Sequence, residues 1–420
     1  LMMFKRLCRV ICALLVFALP TAAQDPAPDN HPLLLMFDSL PANPALLQEV
    51  VMYTDYRAVT ASREGTPTVT TDAELIALLE SDSIESDRWF ASFMGVRVGP
   101  DYLPNLFRIL PEAQTVMGFD VTAIEQSLTY GAPPSNVTVL MLDYDTDAVI
   151  AAHETRGYTV TPLTEGYTLL CGANGCENGN QVDFANRSDG NIFGGSLGRS
   201  QPTLLAPRMI VSSADGGLVR FAGDVLSGAQ RSYRSIYETV ARAMIPAGEG
   251  YLLQAVVFPH TPTYYSDPLS FLNLSAEERQ AAYDQLAETF IPIPPARQVG
   301  IADTVVDGQQ HVVIALTYGS ESEAQAAAEV LVEKIRTTQS IVARRAFGEL
   351  LDERGVTEMT ADVFTYDGQY AARVTLVAPL ADDTATGELS SLQSSSMIFS
   401  IFVTGLMQRD LGWLMPDLPV

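Results

Sequence analysis

The sequence predicts an α+β protein, and two patterns carry that prediction. In the first half, a short apolar strand ends on an aspartate and a helix follows, several times over. In the second half, Asp-Gly turns sit between strand-like runs, and each hairpin leads into a helix. Together they predict two open sheets in two domains. An N-terminal α/β domain spans 45–228 and a C-terminal α+β domain spans 229–420, with the boundary between 228 and 300. The second half reads as a duplicated hairpin–helix unit, ββαββα, forming a two-layer sheet with helices on one face.

The elements follow in order. Lys5, Arg6 and Arg9 precede the apolar run 10–19, and Pro20-Thr21-Ala22-Ala23 supplies small residues. That order is a secretory signal peptide (1–23), cleaved near Ala23. It places the protein outside the cytoplasm, secreted or periplasmic. The apolar run is shorter than the roughly 20 residues that cross a bilayer. Residues 24–44 hold Pro26, Pro28, Pro32, Pro41 and Pro44 and read as an extended leader.

Four strand–helix units come next. Strand 50–54 leads through Asp55 to helix 56–62, and strand 115–119 through Asp120 to helix 121–128. Strand 137–142 leads through Asp143, Asp145 and Asp147 to helix 148–156, and strand 209–213 through Asp215 to helix 218–226. An aspartate there accepts hydrogen bonds from the free N–H groups of the first turn and complements the helix dipole. Aspartates in matching places read as caps. Residues 172–207 are Gly- and Asn-rich and weakly periodic, a long loop.

Residues 232–244 then predict a helix and 250–258 a buried strand; Pro259, Pro262 and Pro268 punctuate a loop. Ser275 with Glu278 opens another helix. Hairpins at 304–318 and 362–379 turn on Asp307-Gly308 and Asp367-Gly368. The first is followed by a helix opened by a Ser320–Glu323 capping box and running to about 348. The second is followed by a helix over 389–414. The apolar run 397–407 is broken by Ser400, Thr404 and Gly405, so it reads as a core helix rather than a membrane span.

Composition bounds the function. The formal charge is −25, with 25 basic residues against 50 acidic ones, and loss of Lys5, Arg6 and Arg9 makes the chain more acidic still. Nucleic-acid binding needs clustered Lys and Arg, and the longest basic cluster is Arg344-Arg345. Lys334 is the one lysine beyond the signal segment, on what reads as the solvated face of a helix. Of the 4 cysteines, Cys8 and Cys12 fall in the signal segment. Cys171 and Cys176, with Asn174-Gly175 between them, predict a structural disulfide in an oxidising compartment. It contributes about 2 kcal/mol by loop entropy.

Two motifs carry possible chemistry. Gly194-Gly195-Ser196-Leu197-Gly198 fits G-x-S-x-G, which in hydrolases exposes a nucleophilic serine on a sharp turn. Its surroundings read instead as a flexible glycine loop, because Pro202 interrupts the expected helix; His260 and His311 are the candidate bases. Asp143, Asp145, Asp147 and Glu154 match EF-hand positions, but Ala148 stands where the turn glycine belongs, so capping is the better account. No cofactor or metal is implied. The sequence therefore predicts an exported, non-enzymatic module that binds a small molecule or a protein, with no nucleic-acid partner. The alternatives are an extracytoplasmic serine hydrolase using Ser196 and a periplasmic-type solute-binding protein.

Overall fold

The computed structural model describes residues 28–40, 42, 48–81, 83–100, 102–131, 136–164, 166–263, 269, 273–288, 290–380 and 396–418. The expected signal peptide, with Cys8 and Cys12, lies outside the described residues, as do Pro26, Pro41, Pro44, Pro268 and the first turns of the expected last helix.

Among the described residues, twelve strands form one antiparallel sheet. In chain order they are β1 (Val51–Asp55), β2 (Ile124–Tyr130), β3 (Val137–Leu142), β4 (Thr159–Thr164), β5 (Tyr167–Cys171), β6 (Thr203–Ala206), β7 (Met209–Ser213) and β8 (Tyr251–Pro259). Next come β9 (Gln298–Val306), β10 (Gln309–Tyr318), the two-residue pair β11 (Gln339–Ser340) and β12 (Arg345–Ala346), β13 (Glu358–Tyr366) and β14 (Gln369–Pro379). The order across the sheet is β13-β14-β10-β9-β8-β1-β2-β3-β7-β6-β5-β4, with β11 and β12 pairing separately. The two expected sheets are thus one. β8 lies inside the expected boundary and hydrogen-bonds to β1 on one side and β9 on the other. Its residues 252–259 are buried, so this strand belongs in the middle of a sheet rather than in a linker.

Helices cover both faces. One face carries Val51, Tyr53, Leu128, Val139, Val211, Val257, Ala302 and Ala315 and packs on helices Pro32–Phe37, Gly216–Leu226 and Arg234–Met244. On the other face, the half around β2, β3 and β5–β7 is covered by helices Asp72–Glu80, Ile84–Met94, Leu106–Met117 and Thr146–Thr155. The half around β8–β10 and β14 is covered by helices Glu321–Thr337, Phe347–Glu353 and Met397–Met407. The second half is therefore not two-layered. Ala302, Val313, Ala315 and Ala371 make its other face apolar too, and the 234–244 helix buries it. Among the described residues no helix is long and apolar enough to cross a membrane.

Local chemistry explains the parts that follow the sequence. Asp55, Asp145 and Asp215 are N-caps whose carboxylates accept backbone N–H bonds from the first turn. Asp307-Gly308 and Asp367-Gly368 adopt positive φ at both positions, the mirror-image turn that matches strand twist. Cys171 and Cys176 come to disulfide distance with Cα atoms 4.8 Å apart, tying the end of β5 to the turn Cys176–Asn178.

Several segments depart from expectation. The helix expected from Ser320 to about 348 ends at Thr337, where the chain turns through β11 and β12 into a separate helix, Phe347–Glu353. The end of the expected long loop 172–207 is strand β6. Residues 115–119 are the end of the Leu106–Met117 helix and its Gly118 cap, and 124–128 are strand β2. The stripe Leu106, Ile109, Leu110, Ala113 and Met117 faces the core at helical spacing and overrides the strand-like run Thr115-Val116-Met117. The described part of the Pro-rich leader contains a helix, with Pro32 at its first position and His31 Nδ1 accepting from Leu33 N at 3.2 Å. Leu33, Leu34, Met36 and Phe37 are fully buried, Phe37 against the rings of Tyr233 and Tyr237.

Lys334 also faces inward, not to solvent. It lies three residues after Leu331, on the stripe of Ala324, Ala327, Ala328, Leu331 and Ile335. It donates to the carbonyls of Ile291 and Met415 and sits over the Phe290 ring at 4.0 Å. One ammonium thereby clasps the 290–296 segment and the C-terminal segment together. Burial pushes its pKa down to about 7, against a pull upward from Asp417.

Two outcomes follow. Phe37→Ala should lower stability by about 3–5 kcal/mol in urea titrations, as for a large buried aromatic. Leu35→Ala on the outer side of the same helix should cost under about 1 kcal/mol. For Lys334, the folded value of about 7 lies below the ordinary 10.5. Between them the unfolded chain holds a proton that the folded chain does not, so stability rises with pH across that window. Urea unfolding at pH 7, 8 and 9 should show wild type gaining on Lys334→Met by up to about 1.4 kcal/mol per pH unit. A constant difference would contradict the burial of this amine.

Candidate functional site

The candidate site is an aromatic cavity on the face covered by the 72–117 helices. It depends on a row of buried polar side chains crossing the middle of the sheet. Asp303 on β9 pairs in register with Gln254 on β8, Gln254 with Thr54 on β1, and Thr54 with Ser127 on β2. All four are buried. Gln254 Oε1 accepts from Arg97 N at 2.7 Å and Val98 N at 3.3 Å, and its Nε2 donates to Gly95 O at 2.9 Å. Thr54 Oγ1 donates to the Val98 carbonyl. The 95–98 backbone is thus held by side chains as an added strand would be held by a ladder.

Asp303 anchors the row. Its carboxylate accepts from Gln254 Nε2 at 3.1 Å, Gln310 Nε2 at 2.9 Å and Ser396 Oγ. Burial raises its pKa against those hydrogen bonds. Asp55 is a second buried carboxylate with a raised pKa. It accepts from Ala58 N, Gln126 Nε2 and Tyr53 Oη.

The segment held at 95–98 fixes what lies on either side of it. Before it, the Ile84–Met94 helix presents Trp89 and Phe93 one turn apart, stacked with centroids 5.4 Å apart. After it comes Tyr102. Together with Tyr56, Val69, Leu75, Leu103, Leu106, Val121 and Ile124 they line a cavity of about 130 Å³. Tyr56 Oη shares a hydrogen bond with Ser127 Oγ at 3.0 Å, which ties the cavity floor to the polar row. Burial pushes the pKa values of Tyr56 and Tyr102 up, so both hydroxyls stay protonated. Arg57 stands on the wall and pairs with Glu125 at 2.9 Å. Buried Asp72 accepts from Val121 N and Thr122 N, docking the start of the Asp72–Glu80 helix on the cavity rim.

Ser196 lines a neighbouring pocket of about 190 Å³ and is exposed on the turn Gly195–Leu197. No histidine lines that pocket. His260 has both ring nitrogens engaged, Nε2 with Leu414 O at 2.7 Å and Nδ1 with Ala296 N at 3.0 Å. His311 lines a different cavity, against β9, β13 and β14. The structure does not bring serine and base together. Nor is the surrounding loop a loose glycine run: a Cβ on Gly195 would lie 2.3 Å from Ser188 O, and one on Gly198 1.7 Å from Asp183 O. These glycines are required by close backbone packing.

The EF-hand match also separates. Asp143 pairs with Arg208 at 2.8 Å, Asp145 caps the Thr146–Thr155 helix, and Asp147 lies in its first turn. Among the described residues no three His, Cys, Asp or Glu side chains cluster as metal ligands.

Neither the cavity nor the polar row was read from the sequence. One signal was available: Gln254 and Asp303 are large polar residues within strands of mainly buried residues, and a polar residue in such a place needs buried partners. The cavity has no comparable signal, because its walls come from five separate stretches.

No family model matches this sequence, and no curated protein matches it. Among solved structures, crystal form I of TP0453 aligns over 91% of this chain and 98% of its own, at 8% identity and a TM-score of 0.30. Crystal form III aligns over 84% and 95%, at 9% identity and a TM-score of 0.29. At those scores the likeness carries no argument about this chain.

Gln254→Leu keeps the side-chain size while leaving Arg97 N, Gly95 O and Asp303 without their partner. It should lower stability by roughly 3 kcal/mol or more, at 1–3 kcal/mol per buried group left unpaired. Hydrogen exchange should show the amides of Arg97 and Val98 exposed well before those of β8. Unchanged protection there would show that the row does not hold this segment.

Proposed function

We propose that this chain is an exported, non-enzymatic binding protein whose ligand is a compact apolar molecule about one aromatic ring in size. The cavity behind Trp89, Phe93 and Tyr102 carries the reading. Its 130 Å³ is close to the engineered apolar cavity of about 150 Å³ that takes up benzene. Its walls are mostly apolar and aromatic with a few hydroxyls, the make-up of a small-molecule site. The polar row holds those walls in place before any ligand arrives, which lowers the cost of binding. Export is supported by the signal-like start of the sequence and by a cysteine pair at disulfide distance. The net charge of −25 favours solubility rather than contact with anionic surfaces. We also read the two C-terminal hairpin–helix units, β9–β10 with Glu321–Thr337 and β13–β14 with Met397–Met407, as copies of one unit.

The chain has 2 tryptophans, and Trp413 is buried against Phe402, away from the cavity. In a Trp413→Phe background, emission therefore reports Trp89 alone. Titration with iodobenzene, a ring-sized heavy-atom quencher, should give saturable quenching, and toluene should displace it and raise the melting temperature. Linear quenching matching that of free tryptophan amide would overturn the reading.

A further inference from the structure

We infer that the ligand carries a carboxylate alongside its ring, and that Arg199 on the glycine-rich loop receives it; this rests on the ring-binding reading of the aromatic cavity. The two pockets share Tyr102 as a wall. The chain segment after it serves both: Leu103 and Leu106 line the aromatic cavity, while Asn105, Arg108 and Ile109 line the polar one. The apolar cavity and the polar pocket therefore lie on adjoining sides of one side chain.

The polar pocket contains two arginines, and they differ. Arg108 is exposed and committed to Asp189 at 2.7 Å. Arg199 is half-buried, and its Nε is buried without a hydrogen-bond partner. A buried guanidinium N–H left unsatisfied is costly, and an acceptor that completes it is favoured by the same amount. The loop holds the Arg199 backbone in place. Arg199 N donates to Gly194 O at 3.1 Å, and buried Asn191 bonds both Phe193 N, at 3.0 Å, and Arg199 O, at 3.4 Å. Asn105, Asn191, Ser196 and Gln201 add neutral polar groups, and among the described lining residues the one carboxylate, Asp189, is already paired.

Charge narrows the class. A protein at −25 repels anions over most of its surface, so an anion site has to be local and sheltered, with a cation inside it. A guanidinium fork matches a carboxylate in plane and spacing. An aryl-alkanoic acid meets both pockets: ring behind Tyr102, carboxylate at Arg199.

The test compares three probes on the full chain by calorimetry: 3-phenylpropanoate, its neutral alcohol 3-phenylpropanol, and phenyl phosphate. The acid should bind at least tenfold more tightly than the alcohol at pH 7, and Arg199→Gln should abolish that preference while leaving the alcohol's affinity unchanged. Equal affinity of acid and alcohol for the wild type overturns the carboxylate inference and leaves ring binding standing. Preference for phenyl phosphate over the acid also overturns it, in favour of a phosphate ester. Binding by none of the three overturns the cavity reading as well. Because the wild-type comparison decides the question, a variant that failed to fold would not rescue the proposal.

Discussion

The structure turns on Gln254. Its single amide bonds to the backbone at Gly95, Arg97 and Val98 and to the buried carboxylate of Asp303. A polar side chain in the middle strand of a large sheet is costly unless every bond it can make is made. Here the bonds reach in two directions, sideways along the row to Asp303 and upward to the segment between the Ile84–Met94 helix and Tyr102. Thr54, which donates to the Val98 carbonyl, and Ser127, which shares a hydrogen bond with Tyr56, add to this tie between the cavity walls and the sheet centre. Buried polar networks are worth most when complete, because the low dielectric strengthens each bond and penalises each gap.

The same economy of charge recurs at the margins of the sheet. At the N-terminal side, Asp38 pairs with Arg234 while Leu33, Leu34, Met36 and Phe37 enter the core. At the C-terminal side, Lys334 ties two irregular segments by their carbonyls. Some of the few basic residues of this acidic chain are buried or half-buried and organise neighbouring backbone, while others, such as Arg57, Arg108 and Arg208, pair with carboxylates at the surface. Arg199 is half-buried, and its buried Nε has no hydrogen-bond partner among the described residues.

Local signals in the sequence translated well. The caps at Asp55, Asp145 and Asp215 and the Asp-Gly hairpins depend on hydrogen bonds within a few residues, so residue identity and spacing suffice to find them. Of the aspartates that match calcium-ligand positions, Asp145 caps its helix, Asp147 lies in the first turn and Asp143 pairs with Arg208. Where the outcome depended on what lay opposite, the reading failed. Residues 115–128 reverse the expected order of strand and helix, because Thr115-Val116-Met117 has strand-like composition while its apolar neighbours recur at helical spacing. The leader seemed extended because its prolines were visible and the Tyr233 and Tyr237 rings that receive Phe37 were not. Lys334 looked solvated because a lysine on a helix is ordinarily so, and the carbonyls that hold it come from residues 291 and 415.

The sequence by itself determined the mixed helix-and-strand class, the Asp-Gly turns, several helix starts, the cysteine pair and the acidic balance, because each is set by neighbouring residues or by composition. Only the tertiary structure decided that the strands join into one sheet with both faces covered, that Ser196 and the histidines lie apart, and that Tyr56, Trp89, Phe93 and Tyr102 enclose a cavity. Those outcomes depend on pairing between segments up to hundreds of residues apart. A strand's alternation shows which side is buried but not which strand lies beside it. A cavity is the space left between side chains, and nothing in the order of the residues marks where packing stops.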